Sequence, residues 1–129
     1  MTARTGTGPI AMAADEVRSL PEERLGDLAG VANRVTWRSQ SSMAGVLTLD
    51  AGHRLGTHAH RENHHHMWVV EGHAEILGRR LGPGSYVHVP SGVDHDIDAS
   101  STEGCTVFYL YLHAGEDGGS AAPTDLRPW

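Results

Sequence analysis

The chain has 129 residues, a formal charge of −6 at pH 7 and a pI near 5.9, which suit one acidic domain with a single core. The negative charge argues against nucleic acid as a partner. There is no long apolar run or signal-like start, and Cys105 is the only cysteine, so we expect no membrane association, no internal disulfide and a cytoplasmic location.

Residues 1–33 predict an arm with short helical pieces. Residues 1–12 are rich in Gly, Pro and small side chains, which is typical of a loose terminus. Further on, Val17 and Leu20, and then Leu25 and Leu28, recur at a spacing of three, with Pro21 placed to begin a second turn. Nothing in this arm resembles a catalytic site, so we expect it to pack across the domain or against a second subunit.

Residues 34–113 predict many short β-strands separated by Gly, Pro, Asp and Ser turns. The expected strands are 34–38, 43–49, 55–60, 65–70, 74–77, 85–89, 95–99 and 105–112. Such a series predicts an all-β domain, either a sandwich or a barrel. Residues 114–129 are low in apolar content and predict a flexible C-terminal tail.

Histidines concentrate in the middle of this β region. Five of the ten lie within nine consecutive positions, from 58 to 66, and another follows at position 95. His58 and His60 are two apart, so in an extended strand both imidazoles point to the same face. A hairpin after them can return a third imidazole. This density is typical of a metal site.

The spacing of these residues resembles that of the cupins, over about residues 43–112. The first cupin motif is matched by Gly52, His58, His60 and Gly72, with His65 at the position of the usual glutamate. The second motif is matched by Gly84, Pro90, Gly92 and His95, with Ala99 where asparagine is common. The resemblance implies a small single-domain cupin, a double-stranded β-helix (jelly-roll) barrel with a short helical N-terminal segment.

The resemblance also implies a divalent metal bound by His58, His60, His65 and His95. His65 satisfies both motif gaps, whereas His64 fits only one, so His64 and His66 are expected on the opposite face. Four neutral imidazoles leave the full charge of a dication, which favours an anionic or enolisable small molecule. Iron, zinc, nickel, copper, manganese and cobalt all accept such ligands, whereas calcium and magnesium prefer oxygen.

Three further side chains are candidate catalytic residues. Tyr109 and Tyr111 can donate to a substrate oxygen, although each can equally be a core tyrosine with a protein acceptor. His88 can act as an acid or base, although a surface position is an alternative. Asp94 and Asp96 flank His95 and can orient a ligand imidazole, but we expect both to face solvent.

Three functions are compatible with this site. The first is a metal-dependent dioxygenase acting on an enolisable or aromatic oxygenated molecule, which the resemblance favours. The second is a zinc-dependent cyclase or isomerase similar to those of aromatic polyketide pathways. The third is a non-enzymatic module that senses a metal or a small ligand. A homodimer is expected in each case, because small cupins commonly pair, and Trp68 is a candidate contact.

Overall fold

A computed structural model describes residues 4–5 and 8–115 of the chain. The predictions for residues 1–3, 6–7 and 116–129 lie outside the described residues. The described elements, in chain order, are β1 (Arg4–Thr5), α1 (Ala14–Arg18), β2 (Val31–Arg38), β3 (Met43–Asp50), β4 (Asn63–Gly72), β5 (Ala74–Ile76), β6 (Arg79–Leu81), β7 (Tyr86–Val89) and β8 (Gly104–His113). The prediction of a mostly β chain with a short helix near the N-terminus is confirmed.

Two layers of extended chain enclose the core. Six strands form the larger sheet in the order β1-β2-β3-β8-β4-β7, with only the β1–β2 pair parallel. The smaller layer contains the hairpin β5–β6 and two extended segments, 53–60 and 93–99. Isolated pairings join its parts: Arg54 with Asp98, His58 with His95, and Glu75 with Asp98. This smaller layer carries three of the histidines singled out in the sequence.

The core lies between the layers because both contribute alternate apolar side chains to it. The larger sheet supplies residues such as Leu47, Leu49 and Met67, and the smaller layer supplies Ile76 and Ile97. In β4, Met67 and Val69 share the inward face with His65, and all three are at most 1% exposed, whereas Trp68 is 41% exposed. The predicted alternation in β4 is therefore confirmed.

A close approach of two chain segments fixes the end of β4. Gly72 has a φ of +68°, and a Cβ built there would overlap the carbonyl oxygen of Gly104 at the start of β8. Only glycine combines the positive φ with the missing side chain. This explains the glycine at the end of the first motif.

Three expected elements differ in the structure. Residues 55–60 and 95–99 are extended but make only isolated pairings, and the first of these segments bends at Thr57. The expected second helical turn after Pro21 is absent from the described chain, since the amide of Glu23 instead donates to the carbonyl of Asn33. The short strand β6 was not expected. No helix in the described residues is long and apolar enough to cross a membrane.

Candidate metal centre

Three of the predicted ligands meet between the two segments of the smaller layer. His58 and His60 lie on one segment and His95 on the other, and the backbones of His58 and His95 exchange hydrogen bonds of 2.9 and 2.8 Å. Within the described part of the chain, these three form a group whose ligand nitrogens all lie within 4.8 Å of one another. The pairing therefore brings together residues that are 35 or more positions apart in sequence.

Backbone carbonyls orient two of these imidazoles. Nδ1 of His58 lies 2.7 Å from the carbonyl oxygen of Gly56, and Nδ1 of His95 lies 3.1 Å from that of Val93. A carbonyl can only accept, so each Nδ1 carries the proton and donates. In the neutral ring Nε2 is then the unprotonated nitrogen that can bind a metal, which is the usual arrangement of a ligand histidine.

The third member, His60, has a buried ring nitrogen that is available as a ligand. Its Nε2 has no hydrogen-bond partner among the described residues. Burial, together with the neighbouring His58 and His95, lowers the pKa of His60 to about 4. A buried imidazole that is neutral and lacks a hydrogen bond is costly unless something occupies it. The donor set therefore fits a transition-metal dication that accepts nitrogen ligands.

His65 lies beside this cluster but is not a member of it, which corrects the predicted four-histidine site to three histidines. The register of β4 and β8 sets His65 opposite Tyr111, and their ring centroids are 4.2 Å apart. This packing leaves Nδ1 of His65 3.3 Å from Nε2 of His95. Burial is the main reason that the pKa of His65 falls to about 2, so its ring is neutral.

The cluster opens onto an apolar cavity of about 340 Å³. His58 and His60 line it together with side chains from the barrel and from the loop before β2, among them Leu25, Leu28, Met43, Leu47 and Leu55. Leu25 and Leu28, which were predicted to lie on a helical turn, belong to this loop. The cavity combines a few polar groups with an apolar wall, as ligand sites usually do.

The two candidate tyrosines differ in how their hydroxyl groups are used. The hydroxyl of Tyr109 donates to Oδ1 of the buried Asn33 at 2.7 Å, and burial raises the pKa of Tyr109 to about 12. Tyr111 lines the same cavity, with its ring 4.6 Å from that of His60. Burial raises the pKa of Tyr111 as well, so it remains a neutral donor.

The structure does not bring His88 to this centre. Val87 and Val89 point into the core, so His88 between them faces outwards, where its ring stacks on His66 at 4.4 Å. Its Nδ1 lies 3.1 Å from the carbonyl oxygen of His65, on the far side of the sheet. His64 is also on that side, accepting from the amide of Ser91. The alternation expected for His64 and His66 is confirmed.

Asp96, which the sequence named as a possible partner of a ligand imidazole but placed in solvent, is nearly buried. Its side chain is 12% exposed, and it accepts from the amide of Gly56 at 2.7 Å and from Nε of Arg54 at 2.8 Å. We expected it to face solvent. No local pattern identifies these two partners, because both lie about 40 positions earlier in the sequence.

Comparison with protein families gives one match across most of the chain. The family described as the ChrR cupin-like domain matches residues 16–114. These residues include the whole histidine cluster and every strand from β2 to β8. No curated protein sequence matches the chain.

Solved structures from several bacteria share the fold. An RmlC-like cupin from Shewanella frigidimarina is 23% identical with a TM-score of 0.65, and the match covers 78% of this chain and 88% of that one. The polyketide cyclase RemF from Streptomyces resistomycificus is 14% identical, with a TM-score of 0.65 and coverages of 81% and 80%. A chain of the complex of Rhodobacter sphaeroides SigE with the anti-sigma ChrR is 17% identical, with a TM-score of 0.63 and coverages of 82% and 71%.

Proposed function

Because the chain belongs to the family of ChrR cupin-like domains, we propose that it is a metal-dependent cupin enzyme acting on an enolisable or aromatic oxygenated small molecule. The proposal rests on one juxtaposition. Three imidazoles place their ligand nitrogens within 4.8 Å of one another, and two of these rings line an apolar cavity of about 340 Å³. A molecule that fits must present an oxygen to the cluster and apolar surface to the leucines.

His58, His60 and His95 would hold the metal. When bound, a divalent metal supplies Lewis-acid stabilisation of negative charge on a coordinated oxygen. Three neutral ligands leave its charge uncompensated, which favours an anionic substrate such as an enolate or a carboxylate. The low pKa of His60 keeps this ligand unprotonated throughout the physiological range.

The surrounding residues position the substrate and exclude water. The apolar wall desolvates the reacting oxygen and strengthens its electrostatic interactions. Tyr111 faces the cavity next to His60 and is a neutral hydroxyl donor, so we assign it contact with a substrate oxygen. The hydroxyl of Tyr109 already donates to Asn33, so we assign Tyr109 to shaping the wall.

The reaction we propose first is dioxygenation, with carbon-carbon cleavage of an enolised ketone by O2. It requires a redox metal such as iron, copper, nickel or manganese. Zinc in the same ligands would support only non-redox chemistry. The polyketide cyclase RemF, which shares the fold, gives a reason to test cyclisation alongside.

A second candidate is a non-enzymatic module that responds to a metal or a small ligand. The observation in its favour is the family itself, the ChrR cupin-like domain, together with the structural likeness to the complex of SigE with the anti-sigma ChrR. In this case the cluster and cavity would bind a ligand without turning it over. The two candidates share a site and differ only in turnover.

Turnover under defined metal loading tests the proposal. The metal-free protein would be loaded separately with Fe(II), Cu(II), Ni(II), Mn(II) and Zn(II), and mixed with aromatic 1,3-diketones and phenolic ketones under ¹⁸O2. We expect O2 uptake with ¹⁸O in the cleaved products for at least one redox metal, lost in His95→Ala and kept in His64→Ala.

Other outcomes decide between the alternatives. Product formation without O2 in the zinc-loaded protein would replace dioxygenation by cyclisation or isomerisation. Stoichiometric metal with no turnover of any substrate would favour the binding module. Failure of every metal to bind would reject the metal-dependent function altogether.

A further inference from the structure

A β-bulge lies next to one of the proposed metal ligands. The hydrogen bonds between the two segments of the smaller layer pair Leu55 with Ile97 and His58 with His95. Between these pairs, Gly56 and Thr57 on one segment face the single residue Asp96 on the other. Two residues opposite one define a bulge, and bulges commonly redirect the chain beside active sites.

At the bulge, the amide and the carbonyl of Gly56 both hydrogen-bond to side chains. Its φ of +99° is accessible to glycine and unfavourable for other residues. Its carbonyl oxygen accepts from Nδ1 of His58 at 2.7 Å, while its amide donates to Oδ1 of Asp96 at 2.7 Å. Gly56 is thus hydrogen-bonded both to the carboxylate of Asp96 and to the ring of His58, a proposed metal ligand.

The second oxygen of the Asp96 carboxylate also accepts a hydrogen bond. Nε of Arg54 donates to Oδ2 of Asp96 at 2.8 Å, and the same guanidinium lies 3.7 Å from Asp98. Asp96 is nearly buried, whereas Arg54 is about half exposed. Asp96 therefore binds both ends of the turn at residues 54–56 and sits on the segment that carries His95.

We propose that Asp96 is a positioning residue for the metal centre: it closes the Gly56 bulge, and the bulge sets the tautomer and orientation of His58. Asp96 does not line the cavity, and although it follows His95 directly in the chain, its carboxylate reaches His58 through the backbone of Gly56. This inference rests on the proposed metal centre. Loss of a partner that orients a metal ligand typically costs about 10- to 100-fold in metal affinity.

Two measurements on the full chain test this role. In the metal-free protein, long-range ¹H–¹⁵N NMR of the imidazoles identifies which nitrogen of His58 is protonated. In the second, Co(II) affinity is measured by competition with a chelator, with the visible Co(II) spectrum as a record of geometry. We expect Asp96→Ala to mix the His58 tautomers, weaken Co(II) binding about 10- to 100-fold and alter the spectrum.

Matched variants separate positioning from general stability. Asp96→Asn keeps an oxygen for the Gly56 amide and should retain most of the affinity. Asp98→Asn removes the charge that lies 3.7 Å from Arg54 but keeps an oxygen for the amide of Ser100, so it should behave as wild type. Gly56→Ala places its Cβ where no atom lies within 4 Å but opposes the positive φ, so it should reproduce the Asp96→Ala effects on His58.

The tautomer of His58 can be measured without metal. This measurement therefore distinguishes a failure of the positioning role from a failure of the proposed function. If wild-type protein binds no Co(II) but the tautomer changes in Asp96→Ala, the proposed function fails and the positioning role stands. Wild-type tautomer and Co(II) affinity in a folded Asp96→Ala protein would overturn the inference. Wild-type values in Gly56→Ala would overturn it as well, should Asp96→Ala not fold.

Discussion

His58, His60 and His95 owe their suitability as ligands to what surrounds each ring. Carbonyl acceptors hold the proton of His58 and His95 on Nδ1, and burial keeps His60 neutral. The resemblance to the two cupin motifs named these three side chains as ligands together with His65. The exclusion of His65 depends on ring packing against Tyr111, which chain positions do not specify.

The depressed pKa values of the buried histidines predict a loss of stability in acid. In the unfolded chain a histidine gains its proton near pH 6.5, whereas in the fold His60 does so near 4 and His65 near 2. Below pH 6.5 the unfolded state therefore binds more protons than the folded state, so the free energy of unfolding decreases as the pH is lowered. Above pH 6.5 these histidines no longer make stability depend on pH.

This acid sensitivity is measurable in the metal-free protein. Between pH 7.5 and pH 5 we expect Tm to fall by roughly 4 °C or more, which corresponds to about 1 kcal/mol for a domain of this size. His60→Gln should reduce this decrease in Tm, whereas His113→Gln, a change outside the cluster, should leave it unchanged. An equal Tm at the two pH values would show that the buried rings do not oppose protonation.

At the scale of elements, two glycines of the first motif differ in what surrounds them. Gly52 and Gly72 both have positive φ, but only Gly72 also contacts a neighbouring strand where a Cβ would stand. We expect Gly52→Ala to cost about 1 kcal/mol from conformation alone. Gly72→Ala should cost about 1–3 kcal/mol more, because it also forces Gly104 away.

Urea unfolding of the two alanine variants measures this difference. The Gly52 variant is the matched control, since nothing lies within 4 Å of its added Cβ. Equal stability losses in the two variants would contradict the close approach of β4 and β8 at Gly72.

Most strands of the larger sheet were predictable, because their apolar residues alternate and their ends carry Gly, Asp or Ser. Residues 55–60 and 95–99 were predicted as strands for the same reason, yet the Gly56 bulge interrupts their pairing. A bulge depends on which residues face each other across two segments. That information is absent from a local pattern, so the sequence suggested Asp96 as a partner of a ligand imidazole but not its hydrogen bond to Gly56.

At the scale of the whole molecule, the barrel predicted from two motifs is confirmed by the family match and by the shared fold. The outer face of its larger sheet carries an exposed aromatic patch. Trp68 and Phe108 pair across β4 and β8, and Tyr86 packs beside Trp68 at 5.3 Å. These three side chains are 41–51% exposed. Exposed apolar patches often mark interfaces.

We therefore expect a homodimer that pairs through this patch. Light scattering after size exclusion should give twice the chain mass for wild type, and one chain mass for the double variant Trp68→Glu with Phe108→Glu. Leu77→Glu, at the exposed tip of the β5–β6 hairpin, should remain dimeric. A monomeric wild type, or a double variant that stays dimeric, would contradict this interface.

The central claim is that His58, His60 and His95 hold one transition metal. The most direct test is elemental analysis of untagged protein from cells grown without excess of any metal, comparing wild type with His58→Ala, His95→Ala and the outer-face control His64→Ala. We predict about one metal per chain in wild type and His64→Ala, and a loss of most of it in the other two. Unchanged metal in His58→Ala and His95→Ala, or none in wild type, would contradict the account.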